Sequence, residues 1–362
     1  MTTYQIATLP GDGIGPEVCE AAVQVLREAL PSNVLDFQYL PGGAGHYLKS
    51  GKVLDDDTFE ACRQAHAILH GAAGLPEVTY PDGTEVGNDL HLQLRFKLDL
   101  YANVRPIKLY DPKFSPLKDL KPGSIDYVIV RENTEGLYAS RGGGTLLRDS
   151  VTTDTIVMTR EGIERIARFA FELCQQRTGA PRDGKARLTV CDKANILRSY
   201  AFFRSVCQDV AASYPTVELD YAYVDAITVH LLKRPDFYDV IVAENMFGDI
   251  ISDLGGGTVG GLGIAPSAEI GEHHALFQGS HGSAPDIAGK NIASPLATIL
   301  SGAFMLDWLG KRHRDETLAD AGLRIRRAVQ KALMDPASVP GDLGGQASCT
   351  TVTAAVLRAL QE

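Results

Sequence analysis

The sequence predicts an α/β fold built around a largely parallel sheet, in one large or two intimately joined domains. Short apolar runs alternate along the chain with amphipathic helical patterns, the order that produces strands connected by crossover helices. The chain has 362 residues, 44% hydrophobic and 22% charged, which is enough to bury a substantial core. No repeat or low-complexity segment interrupts the alternation.

In chain order, residues 4–9 read as a strand and residues 15–30 as the helix after it, with Val18, Ala22, Val25 and Leu26 on one face. Between them lies Leu9-Pro-Gly-Asp-Gly-Ile-Gly-Pro-Glu17. Its glycine spacing departs from the dinucleotide fingerprint, and Asp36, about twenty residues on, ends no clear strand. It also lacks the lysine-serine/threonine ending of a phosphate loop. A tight strand-to-helix turn lining a cleft is the better reading. Residues 67–70, 126–130, 187–191, 218–224 and 239–243 read as further strands, and 160–174 and 199–212 as amphipathic helices. Residues 140–159 carry Gly142-Gly143-Gly144 and then an alternating Val/Thr run, which reads as a protruding β-arm suited to pairing with another subunit. The glycine-rich stretch 255–263 suggests a crossover where backbones pack closely. Residues 295–309 are too short for a membrane span and contain Asp307. They read as a buried helix with Ser294 as N-cap and Pro295 at its first position.

Composition excludes several classes. The net charge of -10, with no basic tract, argues against nucleic acid. Six scattered cysteines show neither metal spacing nor a disulfide framework, so a reducing, cytoplasmic compartment is expected. No signal peptide or membrane segment is expected.

Four segments carry chemistry. In Val242-Ala-Glu-Asn-Met-Phe-Gly-Asp-Ile-Ile-Ser-Asp253, a helix would bring Asp249 and Asp253 onto one face. Such a pair suits a hard divalent cation, Mg²⁺ or Mn²⁺; the plainer alternative is a solvated acidic helix start. Arg95, Arg105 and Arg131 stand at strand or helix ends in an otherwise acidic chain, and guanidinium forks suit a dicarboxylate; singly, each would read as an ion-pair residue. Lys193, in Cys191-Asp-Lys-Ala-Asn195, is a candidate proton-transfer group or simply a solvated lysine. In Gly279-Ser-His-Gly-Ser-Ala-Pro-Asp-Ile-Ala-Gly-Lys290, small residues would let a ligand approach the backbone. His281 offers a flat face for adenine, and Asp286 an acceptor for ribose hydroxyls that would repel a 2′-phosphate, favouring NAD over NADP. The alternative is a plain surface loop.

Together these segments resemble the β-decarboxylating hydroxyacid dehydrogenases, the isocitrate/isopropylmalate dehydrogenase-like family, from Gly11-Asp-Gly-Ile-Gly15 to Asp342-Leu-Gly-Gly345. The resemblance implies a two-domain α/β fold with a large mixed sheet that is not a Rossmann fold. Residues 1–100 with 255–362 would bind NAD, and 101–254 would form the central substrate, metal and dimerisation domain. A homodimer with shared active sites is implied. Arg95, Arg105 and Arg131 would clamp the malate core. Asp249 and Asp253 would bind the metal with Asp225 supplied by a second copy. Lys193, also from the second copy, would be the base, and Tyr138 the acid that protonates carbon after carbon dioxide leaves. Ile14, Ala72, His281, Gly282, Ser283, Ala284, Asp286, Ile287 and Ser294 would hold NAD. K⁺ is a further ion left open. All five proton-transfer and metal residues are present, which argues against a catalytically silent regulatory subunit.

Departures stand out. Relatives usually read Phe-Glu-Pro-Val-His-Gly where this chain has Phe277-Gln-Gly-Ser-His-Gly282, and often Asn-Pro where it has Ser294-Pro295. The helical face leading to Arg95 carries Asn88, His91 and Leu92, expected to read the substrate tail. His91 interrupts the apolar pair of isopropylmalate enzymes, and Asp89 would repel a third carboxylate. The expectation is therefore a compact, polar pocket for a (2R)-malate-type 2-hydroxy acid, D-malate or tartrate ahead of 3-isopropylmalate, isocitrate or homoisocitrate.

Overall fold

A computed structural model describes residues 2–87 and 89–362. The chain divides into two compact units, Met1–Asp99 with Gly260–Glu362, and Leu100–Val259. The first unit opens with β1 (Tyr4–Gly11), α1 (Gly15–Ala29), β2 (Leu35–Tyr39), α2 (Ala44–Ser50), α3 (Asp56–Gln64), β3 (Ala67–Ala72) and α4 (Asp89–Lys97). The second contains β4 (Ala102–Lys108), β5 (Asp126–Glu132), β6 (Thr145–Leu147), β7 (Val151–Thr153), α5 (Arg160–Gln176), β8 (Arg187–Asp192), α6 (Arg198–Ala211), β9 (Glu218–Tyr223), α7 (Val224–Lys233), β10 (Val240–Ala243) and α8 (Asn245–Thr258). The chain then returns to the first unit as β11 (Pro266–Ile270), β12 (Ala275–Gly279), α9 (Leu296–His313), α10 (Glu316–Ala332) and α11 (Cys349–Gln361).

In the first unit the strand order is β2-β1-β3-β12-β11, parallel except for the β11/β12 hairpin. In the second it is β4-β5-β10-β8-β9, with only the β4/β5 pair antiparallel. The α/β class and a large sheet of mixed direction are thus observed. Strands β3, β8 and β10 are buried along their whole length. That is why they appear as unbroken apolar runs rather than alternating ones. Helix α1 buries Val18, Ala22, Val25 and Leu26, the stripe its periodicity marks.

The structure corrects two boundaries. Helix α8 continues through Thr258, so Gly255 and Gly256 are helical, and the second unit ends at Val259 rather than 254. Close packing still explains Gly255: a Cβ there would lie 2.9 Å from the Tyr127 hydroxyl. Ser294 is not the cap of α9; Pro295 occupies that position, and the Ser294 hydroxyl donates to the Gly263 carbonyl at 3.0 Å. Residues 140–159 do contain an antiparallel hairpin, β6 with β7, whose residues are all exposed. Among the described residues no helix is long and apolar enough to cross a membrane, and the six cysteines are free and buried.

Candidate active site

Strand β10 ends at Ala243, and the Glu244 carboxylate caps α8 by accepting from the Met246 and Phe247 amides. The helix crosses β5 so closely that a Cβ on Gly248 would lie 2.6 Å from that of Arg131. The Arg131 guanidinium is thereby held under the helix. Its Nε and Nη2 donate to Asn245 Oδ1 at 2.9 and 2.7 Å, and Nη1 donates to Asp249. Arg105 reaches the same face from β4. Its Nη1 donates to Ser252 at 2.8 Å and to Asp253 at 3.1 Å, Nη2 lies 3.4 Å from Asp249, and Nε donates to Asn103 at 3.1 Å.

The Tyr138 hydroxyl donates to Asp249 Oδ2 at 3.1 Å, with the Arg131 guanidinium 5.4 Å over its ring. Burial, then the Asp249 charge, raises the phenol above its ordinary value against the pull of Arg131. The tyrosine is therefore kept protonated. Burial also raises the Asp253 carboxyl; Arg105 opposes that and Asp249 adds to it. Two carboxylates on one helical turn, with guanidinium groups as their counter-charges, offer the hard oxygen donors a divalent cation needs. Lys193 and Asp225 stand apart as an exposed pair, Nζ to Oδ1 at 2.6 Å, and the lysine holds the Asp225 carboxyl below the usual range. Among the described residues no three metal-ligating side chains of one chain converge. Asp225 therefore does not join Asp249 and Asp253 within a single copy.

The first unit holds a cavity of about 620 Å³ lined by Ile14, His281, Gly282, Ala284, Ile287 and Ser294, with Gly263, Asp342 and Gln346. Its size and apolar lining suit a nucleoside. The turn after β1 builds one wall. The Asp12 carboxylate accepts from the amides of Ala44, Gly45 and Gly74 at 2.8–2.9 Å, tying three loops together. Ile14 donates its amide to the Ser283 carbonyl at 2.8 Å, and Ser283 donates its hydroxyl to Gly74. Gly13, at φ +59, could carry no side chain, since a Cβ would lie 2.0 Å from that same carbonyl. The glycine turn thus anchors the 279–290 loop. His281 Nδ1 sits 3.1 Å from the Gly282 carbonyl, and burial lowers its pKa, leaving a neutral ring. Ala284 is left-handed at φ +39, and Asp286 is exposed on the following turn. Ser283 and the end of β3 at Ala72 are buried behind this wall.

Comparison with known proteins decides the lineage. The isocitrate/isopropylmalate dehydrogenase family matches residues 5–356. A Methanocaldococcus jannaschii protein named 3-isopropylmalate/3-methylmalate dehydrogenase is 40% identical, covering 99% of both chains. The 3-isopropylmalate dehydrogenase of Clavibacter sepedonicus is 42% identical over 99% of this chain and 98% of its own. The crystal structure of isocitrate dehydrogenase from Methylococcus capsulatus matches with a TM-score of 0.86 at 34% identity, covering 99% of this chain and 100% of that one. The chain belongs to the isocitrate/isopropylmalate dehydrogenase family. It is accordingly an NAD-dependent β-decarboxylating dehydrogenase, from a family that also depends on a divalent metal.

In this family member Arg95 lies on α4 and is buried. Its Nε and Nη2 grip Glu269 at 3.0 and 2.7 Å. His91 and Leu92 are half-buried on the same helix, Asp89 accepts from the Tyr80 hydroxyl at 2.5 Å, and Asn88 lies outside the described residues. Sequence reasoning missed Asn245, Ser252 and Asn103, which orient the arginines, and Asp342, which enters the cavity. Asn245 was discoverable: it stands two residues after a buried strand, beside the capping acid. Asp342 offered only its glycine-flanked setting as a signal.

Proposed function

We propose that this dehydrogenase oxidises and decarboxylates a 3-alkylmalate, with 3-isopropylmalate as its substrate. The observation that carries the reaction is the α8 cluster, where a protonated tyrosine, two arginines and two carboxylates meet. What supports the tail is the name carried by relatives that align over almost the whole chain. This reverses the order in which the sequence alone ranks the substrates. His91 favours a second reading, D-malate or a tartrate, because a polar ring beside the tail would cost an isopropyl group contact.

In this reading Arg105 and Arg131, with Arg95, bind the carboxylates of the malate core. Asp249 and Asp253, with Asp225 of a second copy, would hold Mg²⁺ or Mn²⁺, which would supply a Lewis acid for the substrate oxygen, and NAD would supply the hydride acceptor. Lys193 of the second copy takes the hydroxyl proton, and Tyr138 returns a proton to carbon after carbon dioxide departs. Ile14, His281, Gly282, Ala284, Ile287 and Ser294 hold the adenosine half of NAD, backed by Ala72 and Ser283, with Asp286 on the ribose hydroxyls. K⁺ is a further ion the reading admits. A homodimer is supported by exposed apolar side chains on the second unit, Val229 and Leu232 on α7, Ile250 on α8 and Leu146 on the arm. The buried thiols suit a cytoplasmic location.

The test is a panel of 3-isopropylmalate, D-malate, tartrate, isocitrate and homoisocitrate with NAD and Mn²⁺. The highest kcat/KM is expected for 3-isopropylmalate. A tenfold or larger preference for D-malate or tartrate would select the second reading instead.

A further inference from the structure

The first unit contains a fully buried carboxylate that the reaction as described does not use. Glu269, on β11, has no solvent exposure, yet it is bonded on two sides. Arg95 donates Nε to Oε2 at 3.0 Å and Nη2 to Oε1 at 2.7 Å, a two-point fork. Gln278, on the antiparallel neighbour β12, donates its amide to Oε1 at 3.4 Å.

We infer that Glu269 is a positioning residue that fixes the Arg95 guanidinium, and that Gln278 stands where it does because Glu269 must have a neutral donor beside it. The inference rests on the reading of Arg95 as a substrate-binding arginine. A planar guanidinium held at two nitrogens cannot rotate about its final bond, so the orientation of its remaining edge is set before substrate arrives. A glutamate at 278 would instead bring two carboxylates within hydrogen-bond distance in a buried site, where they repel. The glutamine that departs from the usual family sequence is thus matched to a carboxylate on the next strand.

Glu269 acts through Arg95, so the test must separate the two. In Glu269→Gln the side chain keeps one acceptor, and its amide turns a donor against an arginine N–H, which breaks the fork. The KM for 3-isopropylmalate, and for D-malate measured beside it, is expected to rise about 10- to 100-fold, with the KM for NAD within about twofold. Arg95→Lys should do the same, and the double variant should be scarcely worse than either single one. The swap Glu269→Gln/Gln278→Glu returns a carboxylate to the cluster and should recover part of the lost affinity. It also carries the KM comparison if Glu269→Gln alone does not fold. An unchanged KM in Glu269→Gln beside a raised one in Arg95→Lys overturns the inference, as does simple multiplication of the two effects. An unchanged KM in Arg95→Lys overturns the clamp reading and the inference with it.

Discussion

The two units build their candidate sites by opposite means. The first builds its cavity from small side chains and backbone, and fixes the walls with hydrogen bonds that Asp12 accepts from neighbouring loops and that Ile14 and Ser283 donate to them. The second gathers charge: two carboxylates on α8 balanced by two arginines that come from β4 and β5. The cavity of the first kind is lined by side chains and backbone of one unit. A cluster of the second kind carries groups whose counter-charges a metal and substrate can replace, and its remaining candidates, Lys193 and Asp225, pair with each other elsewhere on the unit. Shape is prebuilt in the first unit, whereas the charges of the second are paired within the chain and can be exchanged for those of a ligand.

Metal removal should separate the units most sharply. Dialysis against a chelator is expected to reduce turnover to background, with Mg²⁺ or Mn²⁺ restoring it, while NAD affinity measured by calorimetry changes by less than about twofold because the proposed metal ligands lie on the other unit. Full turnover in excess chelator would remove the metal from the second unit.

The next largest effects lie in the two residues proposed to transfer protons. Lys193→Ala and Tyr138→Phe should each cost roughly 10²–10⁴-fold in turnover. If the lysine serves the site of a second copy, a heterodimer of the two variants regains one intact site. Co-refolding the two inactive proteins should then restore activity. A mixture as inactive as its parts would show that both residues serve their own chain.

How far these features can be read in the sequence depends on where each residue finds its partner. Strands β3, β8 and β10 are covered on both faces, so their apolar runs are visible directly. Strand β4 carries Asn103, Arg105 and Pro106, and β11 carries Glu269, so neither reads as an unbroken apolar run. Their polar groups are satisfied from far away, Arg105 by a residue 147 positions on and Glu269 by one 174 positions back. No local pattern signals such a pairing. The paired carboxylates of α8 were legible because helical spacing alone joins them. The resemblance, rather than periodicity, supplied Tyr138 and Asp225.

A smaller effect tests the substrate tail. Replacing His91 with leucine removes a polar ring from the α4 face. Burying a polar group without its partner costs about 1–3 kcal/mol, so the ratio of kcat/KM for 3-isopropylmalate over D-malate should rise about tenfold or more. An unchanged ratio would mean that the tail does not meet this face.

The smallest expected effect sharpens the contrast in acid. Burial lowers the His281 imidazole below its ordinary value of 6.5, so the folded chain resists its protonation while the unfolded chain does not. Its contribution to stability is therefore complete above pH 6.5 and is lost as pH falls from there through the lower folded value. In His281→Gln this increment is absent. The difference in melting temperature between parent and variant should narrow as pH is lowered from 8 to 5, and subtraction cancels the similar response of buried His70. The second unit should contribute little in this window through Asp225, because Lys193 lowers that carboxyl and keeps it ionised. NAD affinity should likewise hold steady down to about pH 6.5 and weaken only below it, once a charged ring replaces the neutral face of the cavity. A difference in melting temperature that stays constant or widens on acidification would show that the fold does not disfavour the charged ring.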